Sequence, residues 1–190
     1  MTTSALVTAS FLATALVTGA AAIDRELAQQ TFADTRAVID FQRAADAYTF
    51  LHRHVERRIG MAHRRAGEAG DVAARELRAA IMAERSSVLE SPLFTPAVVT
   101  AFRQIAARAV RSPGCDPGEL RSGVWDMSHQ INSAATGTNP LNACVATALP
   151  VLPDELEYRS AGTVLLLVDV HANLVVDVLP ALLAGSENRR

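Results

Sequence analysis

The stretch LEYRSAGTVLLLVDVHANLVVDVLPALL, residues 156–183, carries the strong strand character of this chain. Its first residues alternate between apolar and polar, which is the period-two pattern of a half-buried strand. After Gly162, residues 164–170 are nearly all β-branched or leucine, as in a well-buried strand. Residues 174–179 repeat that character until a proline, which cannot donate to a strand ladder. The stretch predicts a three-stranded antiparallel β-meander over residues 155–180.

Two aspartates and a histidine interrupt the apolar character of the predicted hairpin. Residues 171–173 form a turn candidate, because asparagine tolerates the left-handed conformation. With a three-residue turn, Asp169, His171 and Asp177 share one face of the hairpin. The opposite face is then apolar and consists of Val164, Leu166, Val168, Val170, Leu174, Val176 and Val178.

This polar cluster has two interpretations. Two carboxylates and an imidazole suit a divalent metal ion, so Asp169, His171 and Asp177 form a candidate metal site. The favoured interpretation is that the three residues lie on the solvent side of a sheet that packs on helices. A change of one residue in the length of the turn flips the parity of the following strand and dissolves the cluster.

Apolar residues at spacings of three and four predict a first amphipathic helix. Its N-cap is Asp34, after a polar lead-in at residues 23–31, and two glycines end it between residues 65 and 70. A second helix, residues 71–88, follows a short connection and is expected to fold back antiparallel on the first. The apolar stripe of the first helix consists of Val38, Phe41, Ala45, Tyr48, Leu51, Val55, Ile59 and Ala62.

Further helices are predicted between this pair and the meander. Thr95 before Pro96 is a start signal, an N-cap followed by proline at the first helical position. A short fourth helix is predicted after Asp116, and residues 144–149 suit one helical turn. The prediction is therefore a single α+β domain, residues 23–190, helical over 34–134 and with the meander at its C-terminal end.

The first helix carries a run of histidine and arginine, LHRHVERRIGMAHRR, residues 51–65. His52 and Glu56 are one helical turn apart and can face one ligand, so they form a second candidate metal site. His54 points elsewhere, and no two histidines have the i, i+4 spacing of the HExxH motif of zinc enzymes. The arginines of the run are predicted to form the solvated face of the helix.

The overall charge limits the partners of the protein. A formal net charge of −2 argues against electrostatic binding to nucleic acid. The composition is 49% hydrophobic and only 5% aromatic, which predicts a core of alanine, valine and leucine. No partner can be named from the sequence, although an envelope protein is one candidate. Contact with a membrane is expected only through an uncleaved N-terminal segment.

Residues 1–22 have features of a targeting segment. Residues 5–17 form an apolar region, and Ala20-Ala21-Ala22 supplies the small residues that a signal peptidase requires. The first four residues contain no lysine or arginine, which is atypical. We predict a cleaved signal peptide and a periplasmic or secreted protein. An uncleaved anchor and an ordinary helix are the alternatives.

Two cysteines fit export. In an oxidising compartment Cys115 and Cys144 can pair and close a loop of about thirty residues, a constraint worth about 3–4 kcal/mol by the chain-entropy argument. The alternative is two buried thiols that do not meet. The two cysteines are not a zinc site, because there is no CxxC spacing and two cysteines are too few.

The sequence contains none of the common catalytic or cofactor signatures. It has no GxSxG, no glycine-rich phosphate loop and no EF-hand loop. We therefore predict that the protein is not an enzyme. No cofactor is predicted, apart from a divalent metal ion at the candidate sites.

Three motifs carry a resemblance to known proteins. Residues 94–96 read FTP, residues 149–159 read LPVLPDELEYR, and residues 169–177 read DVHANLVVD. In this combination the chain resembles a group of uncharacterised exported bacterial proteins, which share an FTP helix start, LPxLPxELEYR and DxxANLxVD. The resemblance covers most of the mature chain and implies export and a shared fold, but no activity. The chain departs from the group at Cys115 and Cys144.

A second resemblance covers only the C-terminal part of the chain. Tyr158, Gly162 and the strands at residues 165–169 and 174–178 are similar to the end of the RcnB-type periplasmic nickel and cobalt homeostasis proteins. This resemblance implies metal handling. The leading prediction is an exported, non-enzymatic envelope protein with a structural or partner-binding role, and the alternative is a periplasmic metal-handling protein.

Overall fold

The computed structural model describes residues 15–60, 68–88, 92–115 and 130–183 of the chain. Over those ranges the chain forms four helices and one four-stranded antiparallel sheet, which confirms the predicted α+β class. The elements are α1 Ala15–Arg58, α2 Glu68–Val88, α3 Pro96–Ala109, β1 Asn139–Pro140, α4 Ala143–Ala146, β2 Leu156–Ala161, β3 Val164–Asp169 and β4 Leu174–Leu179.

Helix α1 begins earlier than the sequence predicts. It starts at Ala15, so the expected lead-in at residues 23–31 is helical and Asp34 lies inside the helix instead of at its N-cap. Residues 20–30 contain four alanines and two glutamines, which are strong helix formers. Residues 1–14 of the predicted signal peptide lie outside the described residues, whereas residues 15–22 belong to α1.

The end of α1 also differs from the prediction. The helix stops at Arg58, ahead of the glycines expected to end it at residues 65–70. Gly60 adopts a left-handed conformation with φ +68°, which ends a helix without strain because glycine has no Cβ atom. Helix α2 then contacts α1, and an ion pair between Arg58 and Glu84 joins the two helices.

Helix α3 begins as the sequence predicts. The hydroxyl oxygen of Thr95 accepts a hydrogen bond from the backbone N–H of Val98 at 3.4 Å, so Thr95 is the N-cap. The helix packs against α1 through aromatic rings, with the centroids of Phe41 and Phe102 4.8 Å apart. Phe102 also contacts Tyr158 of β2, at 6.1 Å between centroids. These rings join the helices to one face of the sheet.

The sheet has the order β1-β2-β3-β4, with every neighbouring pair antiparallel. The predicted meander is β2, β3 and β4, whereas no strand is predicted at β1. This strand has only two residues, one of them proline, so no strand pattern marks it in the sequence. Residues 132–135 hydrogen-bond to the outer edge of β4 before the chain reaches β1. The segment 132–140 therefore crosses from one edge of the sheet to the other.

The β3–β4 turn is one residue longer than predicted. Asp169 pairs with Leu174, so the turn comprises residues 170–173 instead of residues 171–173. Asn173 has φ +48°, the left-handed conformation expected of an asparagine in a turn. Because the turn is longer, Leu174 lies on the face opposite to the predicted one.

A β-bulge corrects the register further along β4. The pairing shifts between Leu167 and its neighbour Val168, so Val176 is an extra residue on β4 and Asp177 pairs with Leu167. The carbonyl oxygen of Val176 accepts a hydrogen bond from the guanidinium of Arg85 at 2.6 Å. The bulge brings the side chain of Asp177 to the face that packs on the helices.

The solvent-side interpretation of the two hairpin aspartates is wrong, because both faces of β3 are buried. Asp169 is fully buried and Asp177 is only 2% exposed. The helices cover one face, and the crossing segment contributes Ala135 to the other. The face toward the helices includes Leu165, Leu167, Leu174, Val176 and Leu179, and the other includes Ala161, Val164, Leu166, Val168 and Val175.

Cys115 and Cys144 are bonded to each other, with their Cα atoms 5.9 Å apart. The bond joins the segment after α3 to α4, the helix that corresponds to the turn predicted at residues 144–149. A disulfide is compatible with an oxidising compartment. The helix predicted after Asp116 falls largely on residues 116–129, outside the described residues. None of the helices in the described ranges has a stretch long and apolar enough to cross a membrane.

Candidate metal centre

Two histidines and two carboxylates from distant parts of the chain meet where α1 passes the β3–β4 turn. Helix α1 contributes His52 and Glu56, and the hairpin contributes Asp169 and His171. His52 and Asp169 are fully buried, whereas Glu56 and His171 are partly exposed. The cluster is therefore closed on the side of Asp169 and opens toward solvent near Glu56 and His171.

The local sequence explains how each histidine reaches this place. His52 follows Tyr48 by one turn on the apolar stripe of α1, so helical periodicity directs it into the protein. His171 is positioned through its backbone, because one carboxylate oxygen of Asp169 accepts hydrogen bonds from the N–H groups of His171 (3.0 Å) and Ala172 (2.8 Å). An aspartate that accepts from the residues after it is a common way to fix a turn.

The second carboxylate oxygen of Asp169 faces α1. It accepts a hydrogen bond from the Tyr48 hydroxyl at 2.8 Å and lies 2.5 Å from Nδ1 of His52. The carboxylate therefore has four partners, as a buried charged group requires. A single side chain fixes the backbone of His171 and the ring of His52.

Tyr48 is locked as a donor to this carboxylate. Burial and the negative charge of Asp169 raise the pKa of Tyr48 well above its ordinary value, so the phenol keeps its proton. The guanidinium of Arg85 lies 5.9 Å from the centroid of the Tyr48 ring. Burial lowers the pKa of Arg85, an effect opposed by Tyr48 and by the charge of Asp177.

An ion pair fastens α1 to the hairpin beside the cluster. Arg53 binds both carboxylate oxygens of Glu155, at 2.6 and 3.2 Å, and the carbonyl oxygen of Glu155 accepts from the N–H of Val170 in the turn. Burial acts to raise the pKa of Glu155, but the hydrogen bond from Arg53 and the neighbouring positive charge outweigh it. The net effect is a pKa below the ordinary value.

The ring nitrogens are arranged as in a metal site. Since Nδ1 of His52 faces Asp169, Nε2 is the nitrogen that offers a lone pair, and it lies 3.3 Å from Nδ1 of His171 and 3.9 Å from a carboxylate oxygen of Glu56. One ligand atom from each of these three residues lies within 4.8 Å of the others. In a tetrahedral site with bonds of about 2.0–2.2 Å, ligand atoms are separated by roughly 3.3–3.6 Å. The cluster thus needs little adjustment to hold an ion.

Asp169 supports such a site from behind its ligands. A carboxylate that binds the far nitrogen of a ligating histidine fixes the ring and its tautomer, and it is a recurrent partner of metal-bound histidines. Here the 2.5 Å contact between Asp169 and His52 has that role. The 3.3 Å contact between Nδ1 of His171 and Nε2 of His52 suits a hydrogen bond between the two rings, which an ion held by both nitrogens would replace.

The structure combines parts of both sites predicted from the sequence. His171 and Asp169 of the hairpin site meet His52 and Glu56 of the helix site. His54 is exposed on the outer side of α1, as the sequence predicts, and so are the arginines of the run among the described residues.

Asp177 lies apart from the cluster. One of its carboxylate oxygens accepts from the backbone N–H of Phe94 at 2.7 Å, and the other accepts from the N–H of Val178 at 2.8 Å. Asp177 therefore holds the segment that leads into α3. The longer turn and the bulge offset each other, so Asp177 keeps the pairing with Leu167 that a three-residue turn would give, and it stays outside the cluster because its carboxylate binds these backbone groups.

Tyr48 is the residue of the cluster that sequence reasoning missed as functional. It counts as one member of the apolar stripe, and its hydroxyl gives no signal of its own. Its i, i+4 spacing to His52 was the available hint, because two polar groups one turn apart on a buried face need a shared partner.

Comparison with known protein families, with curated proteins and with solved structures finds no match to this chain. The roles of the clustered residues therefore rest on their geometry and chemistry. The two resemblances in the sequence stay predictions.

Proposed function

We propose that this protein binds a divalent transition-metal ion through His52, Glu56 and His171, with Asp169 holding the ring of His52. The observation that carries the proposal is the convergence of two imidazole nitrogens and one carboxylate at ligand–ligand spacing, backed by a buried carboxylate. A buried histidine could serve packing alone, but packing does not require a second histidine and a glutamate around Nε2 of its ring.

The donor set indicates which ions fit. Two imidazoles and one carboxylate suit zinc, copper(II), nickel and cobalt, whereas magnesium and calcium prefer oxygen ligands and copper(I) prefers sulfur. Three protein ligands also leave a coordination position open, unlike the four ligands of a closed structural zinc site. An open position on the solvent side lets an ion enter and leave, which favours metal handling over permanent structural binding.

We further propose that the protein acts outside the cytoplasm, as a periplasmic or secreted protein of the bacterial envelope. The Cys115–Cys144 bond supports this location, and so do the signal-like residues 1–22 of the sequence. The proposed role is binding instead of turnover, since the sequence carries no catalytic motif. An activity that hydrolyses or oxidises a substrate, and that is lost in the variant His171→Ala, would overturn this part of the proposal.

Calorimetric titration of the disulfide-bonded protein with nickel, cobalt, copper(II) and zinc tests the proposal. We expect one ion per chain for at least one of these metals, and a midpoint of thermal unfolding that rises with metal concentration. The variant His171→Ala should lose most of the affinity, because it removes one of three ligands. The matched control is His54→Ala, which removes an exposed histidine of α1 and should bind as the wild type does.

Two results would contradict metal binding at this site. One is the absence of heat and of thermal stabilisation up to high micromolar concentrations of all four metals. The other is equal affinity of the wild type and the His171→Ala variant, which would place the ion elsewhere.

A further inference from the structure

The solvent side of α1 carries an apolar stripe that the fold does not use. Phe32 is 74% exposed, Ile39 is 49% exposed and Phe50 is 72% exposed. At about 100° per residue, Phe50 lies in line with Phe32 after about five turns, and Ile39 lies roughly 20° from that line. The three side chains therefore form one row, which we call the outer stripe.

The outer stripe is distinct from the buried stripe of the same helix. Phe41 and Tyr48, which are buried, lie on the opposite side of the helix from Phe32 and Phe50. Helix α1 thus has two apolar sides. One packs on α3 and the sheet, and the other has no cover among the described residues.

Charges of both signs border the outer stripe. Arg36 and Arg43 both pair with Asp40, at 3.7 and 3.0 Å, and Asp46 follows on the same exposed side. A shallow groove runs along this side, and it is lined by Phe32, Thr35, Arg36, Ile39, Asp40 and Arg43.

We propose that the outer stripe binds the outer stripe of a second copy of this chain, with the two α1 helices antiparallel. Phe32 and Phe50 lie at equal distances along the sequence from residue 41, and so do Arg36 and Asp46. A two-fold axis at the level of residue 41 therefore sets Phe32 against Phe50 of the second copy. The same axis sets Arg36 against Asp46 of the second copy, so the stripe is complementary to itself in charge.

The acidic residues decide between this partner and a membrane surface. An interfacial membrane helix carries basic residues beside its apolar row, and anionic lipids repel carboxylates. Asp46 lies between Ile39 and Phe50 along the stripe, where it suits Arg36 of a second copy.

The size of the outer stripe predicts a weak dimer. Two phenylalanines and an isoleucine offer on the order of 400 Å² of apolar surface per copy, about half the area that a standard stable interface buries on each partner. We expect a monomer–dimer equilibrium with a dissociation constant in the micromolar range, and no dependence on metal.

Sedimentation of the full chain over a concentration series, in the presence of a chelator, tests the proposal. We expect a dimer at high concentration, and a dissociation constant raised at least about tenfold in Phe32→Ser/Phe50→Ser. The matched control is Val151→Ser, because Val151 is 86% exposed and lies outside α1. It should dimerise as the wild type does.

A charge reversal tests the antiparallel arrangement. Asp46→Arg alone should weaken the dimer, because it sets two arginines against each other. Arg36→Asp/Asp46→Arg should restore most of the affinity, because it exchanges the two charges.

A monomer at every concentration overturns the proposal, as does a dimer unaffected by the phenylalanine substitutions. Failure of the double charge variant to recover affinity overturns the antiparallel pairing. Binding to vesicles of phosphatidylcholine and phosphatidylglycerol tests the alternative that the stripe contacts a membrane. Binding to them that the phenylalanine substitutions abolish, without any dimer, would assign the stripe to a lipid surface.

Discussion

Asp169 and Asp177 belong to the same hairpin, and both are buried, yet their surroundings differ in kind. Asp169 gathers side chains that can titrate or bind metal, since it contacts Tyr48 and His52 of α1. Asp177 instead accepts hydrogen bonds from two backbone N–H groups, those of Phe94 and Val178. The difference teaches that burial of a carboxylate does not mark a site by itself. The chemistry of its donors does.

Replacing each aspartate with alanine tests the comparison and should have the largest effect on stability. Asp169→Ala leaves a tyrosine, a histidine and two N–H groups without their acceptor, so we expect the free energy of unfolding to fall by about 3–5 kcal/mol. Asp177→Ala leaves only two N–H groups without an acceptor, and we expect the free energy of unfolding to fall by about 1–3 kcal/mol. Urea unfolding of both variants measures the difference. Equal losses would show that the side-chain donors add nothing.

Conversion to asparagine should sharpen the comparison, because it preserves shape while it changes the charge. Asp169→Asn weakens the acceptor for Nδ1 of His52 and favours the tautomer whose Nε2 carries the proton, so metal affinity should fall about 10–100-fold. Asp177→Asn should leave the affinity unchanged and serves as the control. Calorimetric titration of both folded variants reports the result. Loss of affinity in both would indicate a general loosening of the hairpin.

Substitution of Glu155, a third buried carboxylate, should have the smallest effect on stability. Its pKa in the folded state lies below its ordinary value of 4.5, so the stabilisation it gives is present above that value and disappears as the pH falls through the folded-state pKa. Glu155→Gln should therefore be less stable than the wild type at neutral pH, and the gap should close on acidification below pH 4.5.

The effect of Glu155 should be smaller than that of either aspartate, because the Arg53 side chain is 53% exposed and water screens the pair. Arg53→Gln should reproduce the loss at neutral pH, and the double variant should add little to either single one. Unfolding curves from neutral pH down to about pH 3, which is below the ordinary pKa values of carboxyl groups, provide the test. A gap that persists in acid would contradict the assignment.

The strands and the start of α3 follow from local patterns. Alternation and β-branched runs mark β2, β3 and β4, and Thr95 before Pro96 marks the helix start. By contrast, β1 is a pair of residues held by its neighbour strand, and a local pattern does not encode such a contact. The bulge at Val176 likewise leaves no pattern in the sequence, although it determines which face of the sheet carries the side chain of Asp177.

The sequence predicted the two halves of the candidate centre as separate sites. Helical spacing pairs His52 with Glu56, and the turn places Asp169 near His171. The meeting of these halves joins residues 117 positions apart, and it depends on how α1 packs on the sheet. Hydrophobic periodicity shows which side of α1 is buried, but it does not show which turn of the hairpin lies beneath it.

The crossing segment, residues 132–140, has a consequence for solubility. Its first part already occupies backbone groups on the outer edge of β4, and its last part pairs with Arg159 and Ser160 of β2. Sheet edges with unpaired N–H and C=O groups act as templates for strand addition and fibril growth. A chain whose last strands are this apolar needs such protection, and one short segment shields part of each edge. Mutations that loosen this segment should therefore show first as aggregation, before any loss of helical structure.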